Sequence, residues 1–384
     1  MPQNSAIPLS LEGISVDNSQ RALVDAIRLR ARNGAAEDLR DTAAETVVQD
    51  FLRVASVFWS EPFRARFSAT PLDVLIPDFF HACAVRTDEG PRVVIYRGLL
   101  KAMTYYLELM RLRAGIEANI KKLPRSVGTP EEFNAAKTIA MLPLLMYITA
   151  KRANLPRLGF SLHRSAMDDA FNHFAVSLSF IAMHEIGHLE LGHLGPAGAA
   201  SATTPPLLAQ VEDLNLFKLQ EFEADSFVFE GIRPEWRYFA GGACTAMLGM
   251  LSHIEIYLQK NSDTHPVSLN RLQHALTGFG GQAPAGGGKL RSTLEDASER
   301  LRASILQRAN REIVGWDRPS SEDVASAYEV ADFAIETLQS FYRAAVGPEE
   351  PGLVLDEEIS RRAKAWNLWA DYLTSKDCEY SLAL

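Results

Sequence analysis

The chain has 384 residues, of which 47% are hydrophobic and 23% are charged, and its formal net charge is −9 at pH 7. These proportions are typical of a globular protein and exclude a disordered or fibrous chain. The acidic balance argues against a nucleic-acid partner. We expect no integral membrane segment, because the longest nearly uncharged run is shorter than the roughly 20 apolar residues that a span needs.

The cysteines and the first residues indicate a compartment. Cys83, Cys244 and Cys378 are odd in number and far apart, which argues against a disulfide framework. Residues 1–20 lack the basic segment and the apolar run of a signal peptide. We therefore expect a soluble protein of the reducing cytoplasm.

Taken in chain order, the apolar spacing predicts helices at 21–32 and 42–58, and Pro71 and Pro77 indicate a loop. Two β-leaning runs within 81–97 then flank a Gly-Pro turn, which predicts a hairpin. Further helices are predicted at 99–122, 131–154 with a kink at Pro143, 165–194, 207–230, 236–260, 291–313, 320–345 and 356–375. The predicted fold is α+β and predominantly α, with one small β-hairpin or sheet.

This pattern also predicts how the chain is divided. We expect an N-terminal helical region at 1–80 and a core at 81–277 that carries a helical insert at 101–165. A glycine-rich linker at 278–288 follows, and then a C-terminal helical region at 289–384.

The most informative segment is His184-Glu185-Ile186-Gly187-His188, which matches the motif H-E-x-x-H. On a helix, residues four apart lie above one another on the same face, so both imidazoles can bind one metal ion. Glu185 lies beside them, where it can take a proton from a metal-bound water. The sequence therefore predicts a zinc site with Glu185 as its general base.

A catalytic zinc needs a third protein ligand. Glu221 and Asp225 are also four residues apart, so we expect Glu221 to bind the metal and Asp225 to accept a hydrogen bond from a ligand imidazole. Glu223 is expected on another side of that helix. The fallback ligands are Glu212 and Asp213.

H-E-x-x-H followed by E-x-x-A-D resembles the gluzincin metallopeptidases of the M48 family. Three further features are similar to that family: the segment that begins at His81, the strand Val93-Val94-Ile95-Tyr96, and the segment Thr264-His265-Pro266 with Arg271. Several members of the family also carry a histidine at the position of His193. The resemblance implies a zincin-like (gluzincin) core and a zinc-dependent endopeptidase that acts on a soluble or peripheral protein.

The resemblance also implies roles for these other residues. The strand Val93, Val94, Ile95, Tyr96 would be the sheet edge that holds an extended substrate. His265 and Arg271 would stabilise the oxyanion, or His265 would take the fourth zinc position. His193 would lie in the second shell of the metal.

The chain departs from the M48 pattern in its long helical insert and in its lack of predicted spans. A second resemblance is therefore to the soluble, cytosolic phage-exclusion (Lit-like, U49) peptidases, which also carry H-E-x-x-H. Their known role is cleavage of a translation factor during infection. A hypothesis of another class is a catalytically silent, zinc-stabilised regulatory protein. The C-terminal helices are candidates for homo-oligomer contacts.

Overall fold

A computed structural model describes residues 40–375, except for 77–79, 88, 125, 149–154, 195–215, 259–267, 269, 272–273, 276–320 and 349–356. The helices are α1 (Thr42–Ala55), α2 (Glu61–Ala69), α3 (Arg97–Asn119), α4 (Pro130–Ile139), α5 (Leu142–Ile148), α6 (Arg164–Glu190), α7 (Leu216–Gly231), α8 (Arg237–Leu258), α9 (Ser321–Val346) and α10 (Glu357–Ser375). The strands are β1 (Leu72–Leu75), β2 (Ala82–Thr87) and β3 (Gly90–Tyr96). The predicted helices at 21–32 and 291–313 and the glycine-rich stretch lie outside the described residues.

Helix starts follow the local chemistry of the sequence. The Asp41 side chain accepts a hydrogen bond from the Ala44 amide and caps α1. At α4, Thr129 and Glu132 form a reciprocal capping box. The predicted single helix at 131–154 is instead two helices, and Pro143 lies in the first turn of α5, where a missing N–H costs little.

The three strands form one sheet in the order β1-β3-β2. The predicted hairpin is present, with β2 antiparallel to β3, and Gly90 at its turn has a φ of 124°, which favours glycine. The loop predicted between Pro71 and Pro77 is wrong, because Leu72–Leu75 is a strand that pairs in parallel with β3. All four of its residues are buried, so the strand lacks the alternation that would have identified it.

The expectation that Val93 to Tyr96 form the sheet edge is also wrong. These residues belong to β3, which pairs with β1 on one side and with β2 on the other. A continuous apolar run is the usual pattern of a strand that is covered on both faces. Among the described residues, β2 pairs on one side only, and its other edge lies against α6.

Helix α6 lies at the centre of the fold and is buried along most of its length. It packs against α1, α3, α7, α8 and α10. The C-terminal helices share this core, since Trp366 and Trp369 of α10 are buried within the same apolar cluster. No helix among the described residues is long and apolar enough to cross a membrane. The predominantly helical α+β fold is confirmed, whereas the domain boundaries remain a prediction.

Candidate metal centre

The two histidines of the H-E-x-x-H segment lie one turn apart near the C-terminal end of α6. Their rings are nearly perpendicular, and their Nε2 atoms are 3.1 Å apart. His184 is buried, while the side chain of His188 is 13% exposed. The face of α6 that the motif defines therefore presents two converging ring nitrogens.

Helix α7 brings Glu221 to the same point. One carboxylate oxygen lies 3.2 Å from His184 Nε2, and the other lies 3.4 Å from His188 Nε2. Gly187 lies where α6 and α7 cross, and a Cβ there would lie 3.1 Å from Cδ1 of Phe227, closer than an ordinary contact. The predicted fallback ligands Glu212 and Asp213 lie outside the described residues.

Asp225, one turn further along α7, contacts the opposite side of the His184 ring. Its Oδ1 lies 2.9 Å from His184 Nδ1. Burial alone would lower the pKa of His184, but the hydrogen bonds to Asp225 and Glu221 outweigh it and raise that pKa to about 10. Asp225 was expected to accept a hydrogen bond from a ligand imidazole, and its carboxylate lies within hydrogen-bond distance of His184.

Arg271 holds that carboxylate in place. Its Nε and one Nη donate to the two Asp225 oxygens at 2.9 and 2.8 Å. Burial would raise the pKa of the fully buried Asp225 carboxyl, yet the charge and hydrogen bonds of Arg271, together with His184, hold that pKa well below its usual range. Arg271 thus forms a bidentate ion pair behind the candidate ligands, and its Nη1 also lies 3.4 Å from Glu221. The oxyanion role expected of Arg271 stays a prediction.

The remaining predicted residues have different outcomes. His193 lies beside His188, with the two Nδ1 atoms 2.9 Å apart. Burial and the neighbouring His188 lower the pKa of His193 to about 4. Glu223, expected elsewhere on its helix, lies 3.0 Å from His193 Nε2. His265 lies outside the described residues, so its role stays a prediction.

Glu185 contacts the sheet. Its Oε2 accepts a hydrogen bond from the Ala84 amide of β2 at 2.7 Å. The Tyr96 amide donates to the carbonyl of His81, so alternate residues of β2 pair with β3 and Ala84 directs its amide to the outer side. The candidate general base thus lies between the two histidines in sequence, and in space it lies against the edge of β2 that pairs with no strand of the described residues.

The donor set fits a metal ion. When Asp225 accepts the Nδ1 proton of His184, the ring directs a lone pair from Nε2 toward Glu221. His184, His188 and Glu221 then present three electron-pair donors within 4.8 Å of one another. Two imidazoles and one carboxylate that leave a fourth position open are a ligand set of catalytic metal sites.

Comparison with known proteins adds one finding. Residues 100–285 match the family model described as Peptidase U49. The matched segment is slightly less than half of the chain and includes all three candidate ligands and Asp225. No curated protein and no solved structure matches the chain. The match supports a peptidase and favours the U49 resemblance over the M48 resemblance, which is not confirmed.

Proposed function

We propose that the chain is a zinc-dependent endopeptidase whose metal is held by His184, His188 and Glu221. The observation that carries the proposal is the convergence of these three donors within a segment that matches a peptidase family. When bound, zinc polarises the scissile carbonyl and lowers the pKa of the attacking water.

Glu185 is the general base of this proposal. It adjoins His184 on α6, and its carboxylate is held by the amide of Ala84. A carboxylate at that place takes the proton from the attacking water and then gives it to the leaving amine. Arg271 acts indirectly, because its guanidinium keeps Asp225 ionised and oriented toward His184.

The substrate in this proposal lies along the outer edge of β2. Main-chain hydrogen bonds at a free strand edge hold a peptide in an extended conformation. The Ala84 amide is one of these donors, and in the structure it is taken by Glu185. A substrate carbonyl would compete for this amide, so its binding would release the Glu185 carboxylate for proton transfer.

The test compares Glu185→Gln with the wild type on a peptide library, with zinc and with a chelator. We expect cleavage to fall by a factor of about 10²–10⁴, because a general base contributes that much, while zinc affinity is kept. Glu190→Gln is the matched control, since Glu190 is exposed on the same helix, where it lies 3.4 Å from Arg66. Full activity of Glu185→Gln would contradict the mechanism.

The family match favours a second, more specific proposal, namely that the peptidase acts in phage defence, as the resemblance to phage-exclusion peptidases implies. A bacterial host that expresses the wild type should then restrict phages that a host expressing Glu185→Gln admits. Equal plaque counts across a broad phage panel would contradict this role. A wild type that binds zinc but cleaves nothing would instead favour the silent regulatory protein.

A further inference from the structure

The two candidate histidine ligands are supported by different groups. His184 is backed by the carboxylate of Asp225, whereas His188 is backed by a second imidazole, that of His193. His193 is in turn backed by Glu223, 3.0 Å from its other ring nitrogen. Glu223, His193 and His188 therefore form a row of hydrogen-bonded side chains. This row ends at one of the three candidate metal ligands.

The end of α6 explains why His193 lies there. Gly192 has a φ of 75°, the left-handed conformation that ends many helices. The His193 amide donates to the carbonyl of His188 at 3.0 Å, and the Gly192 amide donates to that of Leu189. This pair of bonds is the Schellman motif, which folds the second residue beyond the helix back over its last turn. Backbone and side chain thus join His193 to His188.

When the rings of His193 and His188 are both neutral, only one placement of their protons allows both hydrogen bonds of this row to form. An ionised Glu223 can only accept, so His193 must carry its proton on Nε2. Nδ1 of His193 is then an acceptor, and His188 must carry its proton on Nδ1. Nε2 of His188 is left with a free lone pair, 3.4 Å from Glu221.

We propose that Glu223 and His193 form a relay that fixes the tautomer and orientation of His188 and thereby raises the affinity of the metal site. The relay rests on the proposed function for the metal itself. His193 is a positioning residue and not a ligand, because it faces Nδ1 of His188, across the ring from the nitrogen that faces Glu221. Such outer partners typically contribute 10- to 100-fold to metal affinity.

The test is a double-mutant cycle on zinc affinity, measured by competition with a chromophoric chelator. His193→Phe removes the acceptor for His188 and keeps a flat ring, and Glu223→Leu removes the acceptor for His193. We expect His193→Phe to weaken zinc binding by about 10- to 100-fold. Glu223→Leu should weaken it in the wild type but cause no further loss in the His193→Phe background, since the two residues act in series.

Two further variants separate a relay from simple packing. Glu223→Gln keeps an acceptor oxygen and should retain more zinc affinity than Glu223→Leu. Glu230→Gln, on the exposed side of the same helix, should match the wild type. Additive losses in the double variant, or equal affinities of Glu223→Gln and Glu223→Leu, would overturn the relay while leaving the metal site intact.

A spectroscopic measurement covers the case in which a variant fails to fold. In zinc-loaded wild type with ¹⁵N-labelled histidine, we expect His193 to be neutral with its proton on Nε2. A proton on Nδ1, or on both nitrogens, would overturn the relay. A wild type that binds no zinc would overturn the proposed function and the relay together, and is thus distinguishable from failure of the relay alone.

Discussion

Glu108 and Glu221 are both buried carboxylates beside an arginine, and they differ in what else faces them. Glu108 of α3 is 1% exposed. One of its oxygens accepts from the amides of Leu158 and Gly159, and the other accepts from the Trp366 indole, with Arg157 3.5 Å away. Burial raises the pKa of Glu108, while these donors act against the shift. Donors therefore surround this carboxylate, which joins α3 to α10.

At the candidate metal centre, the Glu221 carboxylate faces two imidazoles as well as an arginine. The Nε2 atoms of His184 and His188 and the carboxylate of Glu221 lie 3.1 to 3.4 Å from one another. Asp225 lies 2.9 Å from Nδ1 of His184, and Nη1 of Arg271 lies 3.4 Å from the Glu221 carboxylate. Against the effect of burial, the hydrogen bonds to Asp225 and Glu221 raise the pKa of His184 to about 10, and a bound metal ion would take the place of the proton between His184 and Glu221. The comparison separates a carboxylate whose partners are donors of the fold from one that shares its place with two candidate metal ligands.

The largest expected effect on stability is at Glu108. Glu108→Leu removes the acceptor of the Leu158 and Gly159 amides and of the Trp366 indole N–H, so the free energy of unfolding should fall by about 3–5 kcal/mol. Zinc affinity should stay at the wild-type value. Urea unfolding with and without zinc measures both, and Glu336→Leu on the exposed side of α9 is the control. A loss of zinc affinity in Glu108→Leu would contradict the view that Glu108 serves only the stability of the fold.

A smaller effect is expected at Asp225. Asp225→Asn keeps an acceptor for His184 but removes the charge that raises the basicity of the ligand, so zinc affinity should fall by about 10- to 100-fold. Calorimetric titration with zinc checks this, with Asp169→Asn on the surface of α6 as the control. Unchanged affinity would mean that Asp225 serves only to pair with Arg271.

The sequence predicts which candidate ligands share a helix face, because their spacing is local. His184 and His188 share a face of α6 through helical periodicity alone, and Glu221 and Asp225 share a face of α7 for the same reason. Which groups meet across the two helices depends on their crossing at Gly187, which no spacing reveals. The contact between Glu223 and His193 also depends on how the two helices cross, so the spacing of residues does not predict it.

One error and one missed contact have physical reasons that were visible in the sequence. Val93 to Tyr96 were expected at the sheet edge, although an uninterrupted apolar run is typical of an interior strand. His193 follows Gly192, and a glycine just beyond a helix predicts a chain that folds back. That signal could have placed His193 over His188, though not beside Glu223.

The central claim is that His184, His188 and Glu221 hold one metal ion. The most direct measurement is a zinc titration of the wild type and Glu221→Ala, with Glu230→Ala as the matched control on α7. We expect one zinc per chain in the wild type and in the control. Loss of a direct ligand should weaken binding by more than the roughly 100-fold that loss of an outer partner costs. Zinc bound by Glu221→Ala as tightly as by the wild type would contradict the account.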